Sequence, residues 1–509
     1  MSLTPVPPIE VGSLTASSPE ESQFIGSSSG VFFVNTVHRA FAKSKKGDVS
    51  GAEDGRASTA RDAASVETFI VGNESRQRSH SRDENGRPMN QNIQGFEAFR
   101  VHSYVLGVPP SQESATDLIT VYFQTWHPLF PFLHGPTFLR DVEAFYSGMS
   151  TLQNRKDRQQ ICCTIVFQCI FNIAAQNRPD LGFPDVSRIE SSSGLLSLLG
   201  IVAAKHDIIG LQALLAMQLY LISTMSLLAA STVGGVLVKL LFHGGFHRCP
   251  FRYIQISKYD CDIRKRIFWS AYATDRYLSQ ALGHPLGMQD SDLDVCIPGT
   301  EELHRPVPQS STSIGDGREE ARAHLPQGHP DSVQTPSDSG EQERRNSRSS
   351  RRKQSQFGED VLANYVSYCR ITGRALELFH KSVHTRSVDY RHITLLTSEV
   401  HSWWNNLPQH LQERTSNDGT TSFAAFFDIL YQNLIILINR PFLSLIPSTP
   451  EFRLSLQTCA GASRKTILIL RDHDTAFSWP GILSGTWMAG LVLAFGCELD
   501  LYPFAKGVA

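Results

Sequence analysis

The sequence predicts an all-α protein: an irregular bundle or solenoid of antiparallel helices, with a disordered N-terminus and a long disordered insertion. Three observations carry this. Apolar residues recur at three- and four-residue spacing through most of the chain beyond residue 110, and no alternating strand-like run competes with them. Two tracts rich in Ser, Gly, Arg, Asp and Gln, residues 42–95 and 299–358, hold scarcely a hydrophobic cluster. A chain of 509 residues has ample length for a core and two or three domains.

With 47 basic against 49 acidic side chains there is no overall charge for binding a polyanion. The nine cysteines are odd in number and show no Cys-x-x-Cys spacing, and the first residues do not resemble a signal peptide. The expected environment is reducing and intracellular.

Taken in order, residues 1–22 read as disordered, and Phe24 to Phe33 is a hydrophobic island expected to dock on the helical body. Thr116 to Trp126 places Leu118, Ile119, Tyr122 and Phe123 on one helical face, and Pro128 ends it. A second helix carries Leu139, Val142, Phe145 and Tyr146, and two more span Gln160–Ala175 and Gly194–Ala204. From Ile208 to Val238 there is no charge, but Gln212, Gln218, Ser223, Ser226 and Ser231 recur too often for lipid exposure. The stretch therefore reads as a buried antiparallel helix pair broken at Gly234-Gly235, with no membrane involvement.

The best-marked helix begins after Ser257, which with Asp260 has capping-box spacing, and stops at Leu282 before Gly283 and Pro285. Phe268, Tyr272, Asp275, Ser279 and Leu282 share one stripe, so Asp275 is expected to be buried and paired with one of the arginines nearby, at 248, 264, 266 or 276. Beyond the insertion, helices are predicted at Glu359–His380, Val388–Asn406, Ser422–Arg440, Phe452–Arg471 and Ile482–Leu499.

The run Arg264-Lys265-Arg266-Ile267-Phe268-Trp269 is followed by Tyr272, Asp275-Arg276, Leu282-Gly283-x-Pro285 and an acidic stretch from Asp290 to Asp294 that closes at Ile297-Pro298. This resembles the central signature of the fungal-specific transcription factor regulatory domain, the middle homology region of the binuclear zinc-cluster, xylanolytic-activator-like regulators. Trp126 to Pro131, Gly244 to Arg248, Trp403 to Pro408 and Asn439 to Leu443 fit the same pattern in order, so the resemblance covers roughly residues 115–500. His284 stands where an arginine is usual, and Lys239 replaces another. By this resemblance Arg266, Phe268, Trp269, Tyr272, Asp275, Arg276, Gly283 and Pro285 are signature residues with a structural role.

The resemblance also implies a division into a largely disordered region 1–110, a first half of the regulatory domain at 111–298, a disordered Ser/Arg-rich linker at 299–358 and a second helical half at 359–509. In such regulators DNA is bound by an N-terminal module of six cysteines and two zinc ions. No cysteine precedes Cys162, so this chain is expected to hold no zinc or other cofactor, to offer no DNA-binding residues of its own, and to reach DNA only through such a module. The expected partners are transcriptional co-regulators, a second copy or a small-molecule inducer.

Other chemistry has little behind it. Gly26-Ser-Ser-Ser-Gly30 matches the nucleophile-elbow pattern in form only, because no buried strand precedes it and no helix of a parallel sheet follows. His243 and His247, with Cys249 and Cys261 beyond, could seed a zinc site, but Gly244-Gly245 separates the histidines and capping or core packing is the simpler reading. Asp290, Asp292 and Asp294 lack the Gly and Glu of a calcium loop and read as a polar turn. No catalytic set emerges, and the chain is not expected to be an enzyme.

The basic run containing Arg344, Arg345, Arg351, Arg352 and Lys353 is a candidate nuclear-import signal. The resemblance implies a nuclear regulator of RNA polymerase II transcription in a fungus that retains the effector domain of a zinc-cluster factor. The alternative is a helical interaction scaffold or co-regulator with no DNA function.

Overall fold

The computed structural model describes residues 12–16, 22–34, 37–38, 105–147, 157–304, 339–381, 390–413, 422–472 and 479–499. The fold is all-α, as the periodicity predicts. Helices α1 (Gln112–Thr125), α2 (Gly135–Tyr146) and α3 (Asp157–Asn177) are followed by two short turns, α4 (Ser192–Ser197) and α5 (Leu199–Ala203). Then come α6 (Ile208–Ser223), α7 (Leu227–His243) and α8 (Lys258–Leu282), which complete the first half. The second half holds α9 (Ser339–Phe379), α10 (Tyr390–Asn405), the single turn α11 (Gln409–Gln412), α12 (Ala424–Asn439), α13 (Pro450–Asp472) and α14 (Pro480–Glu498).

Helix α8 lies at the centre because local chemistry fixes both ends and three faces find partners. Ser257 Oγ accepts from the Asp260 amide at 3.1 Å and donates to the Asp260 carboxylate at 2.8 Å, satisfying an orphan donor of the first turn. Gly283 turns left-handed at φ 70° and its amide closes on the Ser279 carbonyl, which ends the helix. Along its length α8 packs against α6, α7 and α9, so it is the element common to both halves. One continuous hydrophobic core runs through the two.

The halves are knitted by aromatic rings. Trp479, ahead of α14, meets Trp126 at a centroid distance of 5.5 Å, Phe130 at 5.0 Å and Tyr277 of α8 at 5.0 Å. Phe130 in turn meets Tyr365 of α9 at 5.8 Å. The Trp126–Pro131 segment is thus an anchor for the second half, held in place where Trp126 Nε1 donates to Asn177 Oδ1 at 3.2 Å.

Several expectations need correction. The uncharged stretch is a helix pair, but the break falls at Thr224–Ser226, where Met225 takes a left-handed φ of 60°, and Gly234-Gly235 lies inside α7. A Cβ at Gly234 would overlap the Gln218 side-chain amide of α6, so the missing side chain makes room for that amide. The predicted helix at Gly194–Ala204 is two short turns.

The linker expected to run structureless to Gly358 gives way to helix at Ser339, and the Glu, Gln and Arg that dominate there are good helix formers. Residues 305–338 and 42–95, also expected to be disordered, lie outside the described residues. Two strands also occur where none was expected: β1 (Gly12–Ala16) and β2 (Ser22–Gly26) pair antiparallel, with Gly12 opposite Gly26. Among the described residues α14 is the one helix long and apolar enough to cross a membrane, and it packs against α12 and α13.

Candidate functional site

Of the signature residues, Tyr272, Asp275 and Arg276 come together toward the C-terminal end of α8. Arg276, fully buried, is bonded to Asp275 at 2.7 Å through Nη1 and to Asp290 at 2.6 Å through Nη2, while its guanidinium lies 4.0 Å from the centroid of the Tyr272 ring. Tyr272 donates its hydroxyl to Asp290 at 2.8 Å, and the Gly287 and Met288 amides donate to Asp275 at 3.0 and 3.3 Å. The network fastens the loop after α8 back onto the helix.

Burial pushes the Asp275 carboxyl above the usual carboxylate range, a shift opposed by Arg276 and the two amides. Arg276 is the partner that Asp275 was expected to find. The polar turn is more specific than its sequence suggests: Asp290 neutralises Arg276, and Asp294 accepts from the Cys249 amide at 2.8 Å and pairs with Arg252 at 2.8 Å.

Other signature positions are accounted for one by one. Phe268 and Trp269 are core residues, and Trp269 Nε1 donates to the Cys296 carbonyl at 3.1 Å. Arg266 is half-buried beside the loop of His127 and His134, where its charge helps to lower both imidazoles. Ser279 Oγ donates to the Pro285 carbonyl at 3.3 Å.

The N-terminal island docks as expected and spans both halves as a strap. On α8, Ser28 donates to the Gln280 carbonyl at 3.2 Å, and Gly26 lies so close to Gly283 that a side chain on either would overlap the other's backbone. On the second half, Ser27 Oγ shares a hydrogen bond of 3.0 Å with His380 Nδ1, and Arg440 Nη2 donates to the carbonyls of Ser27, at 3.3 Å, and Ser28. Phe33 meets Phe495 edge-on at 5.8 Å. Ser28 is therefore a buried tether.

Under the strap, between the halves, lies a cavity of ≈ 660 Å³. Its wall is largely apolar, formed in part by Tyr277, Tyr365, Leu437 and Trp487, with Arg276, Gln280, Thr372, Asn433 and Arg440 among its polar groups. Arg440 is buried, finds no carboxylate among the described residues, and is pulled down to about 10 by desolvation. The sequence carried no signal for this cavity, because its walls come from segments hundreds of positions apart.

Of the remaining sequence candidates, Arg344, Arg345, Arg351, Arg352 and Lys353 fall on the backbone of α9, and their side chains lie outside the described residues. His243, His247 and Cys261 do not gather: the His247 ring packs on Phe242 at 5.1 Å, and the Cys261 thiol faces the Ile256 carbonyl at 3.9 Å. Cys249 instead approaches Cys296 and His304. The described residues assemble no six-thiolate, two-zinc cluster, all nine cysteines being free thiols.

Comparison with known proteins gives a consistent picture. A family model described as the fungal specific transcription factor domain matches residues 119–417. The chain is 40% identical to the probable transcription factor FUP6 of Fusarium proliferatum, over 98% of this chain and 72% of that protein. It is 24% identical to the transcriptional activator protein acu-15 of Neurospora crassa, over 71% of this chain and 35% of that protein. It is 24% identical to an uncharacterized transcriptional regulatory protein of Schizosaccharomyces pombe, over 65% of this chain and 48% of that one.

Proposed function

Since the chain belongs to the family of the fungal specific transcription factor domain, we propose that it acts in the nucleus as a regulator of RNA polymerase II transcription, with its helical body serving as the effector-sensing part. The observation that carries the sensing role is the cavity between the two halves. Its ≈ 660 Å³ falls within the roughly 300–1,000 Å³ of small-molecule sites, and an apolar wall with few polar groups is the usual composition of such sites.

Arg440 sets the expected ligand chemistry. A buried cation without a counter-charge is costly, so a largely apolar molecule with an anionic or strongly accepting group at that end gains most. Ser28 to Val31 of the strap line the same cavity, so a ligand that contacts them changes the free energy of strap docking, and occupancy is coupled to the surface presented to co-regulators. The basic residues from Arg344 to Lys353 would supply nuclear import.

The test joins two readouts. An apolar fluorescent probe should bind the purified chain, and Ala281→Phe, which fills the cavity, should abolish that binding while the helical circular dichroism is kept. The chain fused to an unrelated DNA-binding module in a fungal reporter strain should change transcription, and the cavity variant should alter that response. A reporter left untouched by the fused chain would favour a scaffold without a transcriptional role. A probe bound equally by both forms would remove the cavity from the mechanism.

A further inference from the structure

The geometry points to a divalent metal site, of the zinc class, formed by Cys249, Cys296 and His304, with the Glu302 carboxylate beside Cys249. Cys249 Sγ, Cys296 Sγ and a ring nitrogen of His304 all lie within 4.8 Å of one another. Cys296 Sγ stands 3.4 Å from His304 Nδ1, and Cys249 Sγ stands 3.5 Å from Glu302 Oε2.

Bond lengths of about 2.3 Å to sulfur and about 2.0–2.1 Å to nitrogen or oxygen, at tetrahedral angles, put adjacent sulfur and nitrogen or oxygen donors about 3.5 Å apart. The Cys296–His304 pair has that separation. A thiol hydrogen bond accounts for either pair taken singly, but gives no reason for two thiols and an imidazole to share one point in the fold.

The surroundings fit a metal centre. Lys265 holds Glu302 Oε1, which leaves Oε2 facing Cys249 and supplies a positive charge next to two thiolates and a carboxylate. The backbone on either side is fixed: Trp269 Nε1 donates to the Cys296 carbonyl at 3.1 Å, and the Cys249 amide donates to Asp294 at 2.8 Å. Both cysteines are buried.

Cys249 precedes the turn Pro250–Arg252 that leads into α8, whereas Cys296, Glu302 and His304 follow α8. A bound ion would staple the entry of the central helix to its exit. The two cysteines are far apart in sequence, which is why spacing rules for zinc ligands do not register them.

Metal analysis of the chain purified without chelator, under reducing conditions, should find one zinc per chain. Cys249→Ser, Cys296→Ser and His304→Ala should each lose it, while Cys459→Ser keeps it. So that the test does not depend on a ligand variant folding, cobalt exchange into the unaltered protein gives a second readout: tetrahedral ligand-field bands with thiolate-to-cobalt charge transfer. Absence of metal from folded chain together with a cobalt spectrum lacking thiolate bands would overturn the assignment. A thiol count showing Cys249 and Cys296 joined as a disulfide would overturn it equally.

Discussion

Arg276 and Asp275 are neighbours in sequence, yet their side chains close a 2.7 Å ion pair inside the protein, because the loop after α8 brings the Gly287 and Met288 amides to the carboxylate and Asp290 to the guanidinium. Removing either partner leaves a buried charge exposed to a poorly solvating interior. Arg276→Ala, which strands two carboxylates, should cost about 3–5 kcal/mol. Asp275→Ala, which leaves Arg276 with Asp290, should cost about 3 kcal/mol. Denaturant melts of the two variants would test both the size and the order; equal melts for all three forms would place the stripe on the solvent side.

His127 should impose a pH dependence. Its ring bonds to the Leu133 carbonyl at 3.0 Å, and burial lowers it to about 4. In the unfolded chain a histidine titrates near 6.5, so between about 6.5 and 4 the unfolded state binds the proton and the folded state does not. Stability is therefore fully present above neutral pH and falls as pH drops through that window, by up to about 3 kcal/mol. Comparing stability at pH 7 and pH 4.5 for the protein and His127→Gln should show a smaller slope in the variant.

The strap should be separable from the body. Arg440→Ala removes the donor to the Ser27 and Ser28 carbonyls and should cost about 1.5–3 kcal/mol, the range for hydrogen bonds from a charged group. Gly283→Val, at a left-handed φ and against Gly26, should have the same local effect by steric exclusion. Both variants should be cut faster by protease within residues 24–34 than the unaltered chain; equal cutting would show that the strap is held by its hydrophobic contacts alone.

Nuclear import can be tested without the rest of the mechanism. Replacing Arg344, Arg345, Arg351, Arg352 and Lys353 by alanine should shift a fluorescent fusion from nucleus to cytoplasm, since receptor recognition of such a run depends on clustered positive charge. An unchanged distribution would leave the run without a part in import.

What the sequence makes legible here is chemistry that acts at short range. Ser257, Asp260 and Gly283 mark the two ends of α8 because capping and the left-handed stop are decided within a few residues, and the burial of Asp275 follows from its stripe. The break at Met225 leaves no such mark, since a left-handed φ at a methionine has no local residue signature, and Gly234 lies inside α7 because a glycine that makes room for a neighbouring side chain looks the same in sequence as one that breaks a helix. The cavity, the strap's tethers and the Cys249–Cys296 approach join positions far apart, and periodicity carries no information at that range.

The bond from Arg440 to Ser28 spans 412 positions, and this separation sets a timetable for biosynthesis. At about 5–20 residues per second, the strap leaves the ribosome roughly 20–80 seconds before its anchoring arginine is made. During that interval Phe33 lacks the Phe495 ring that later packs against it edge-on. The growing chain therefore carries this apolar segment without its second-half cover until α14 is made, an interval in which it is open to wrong contacts.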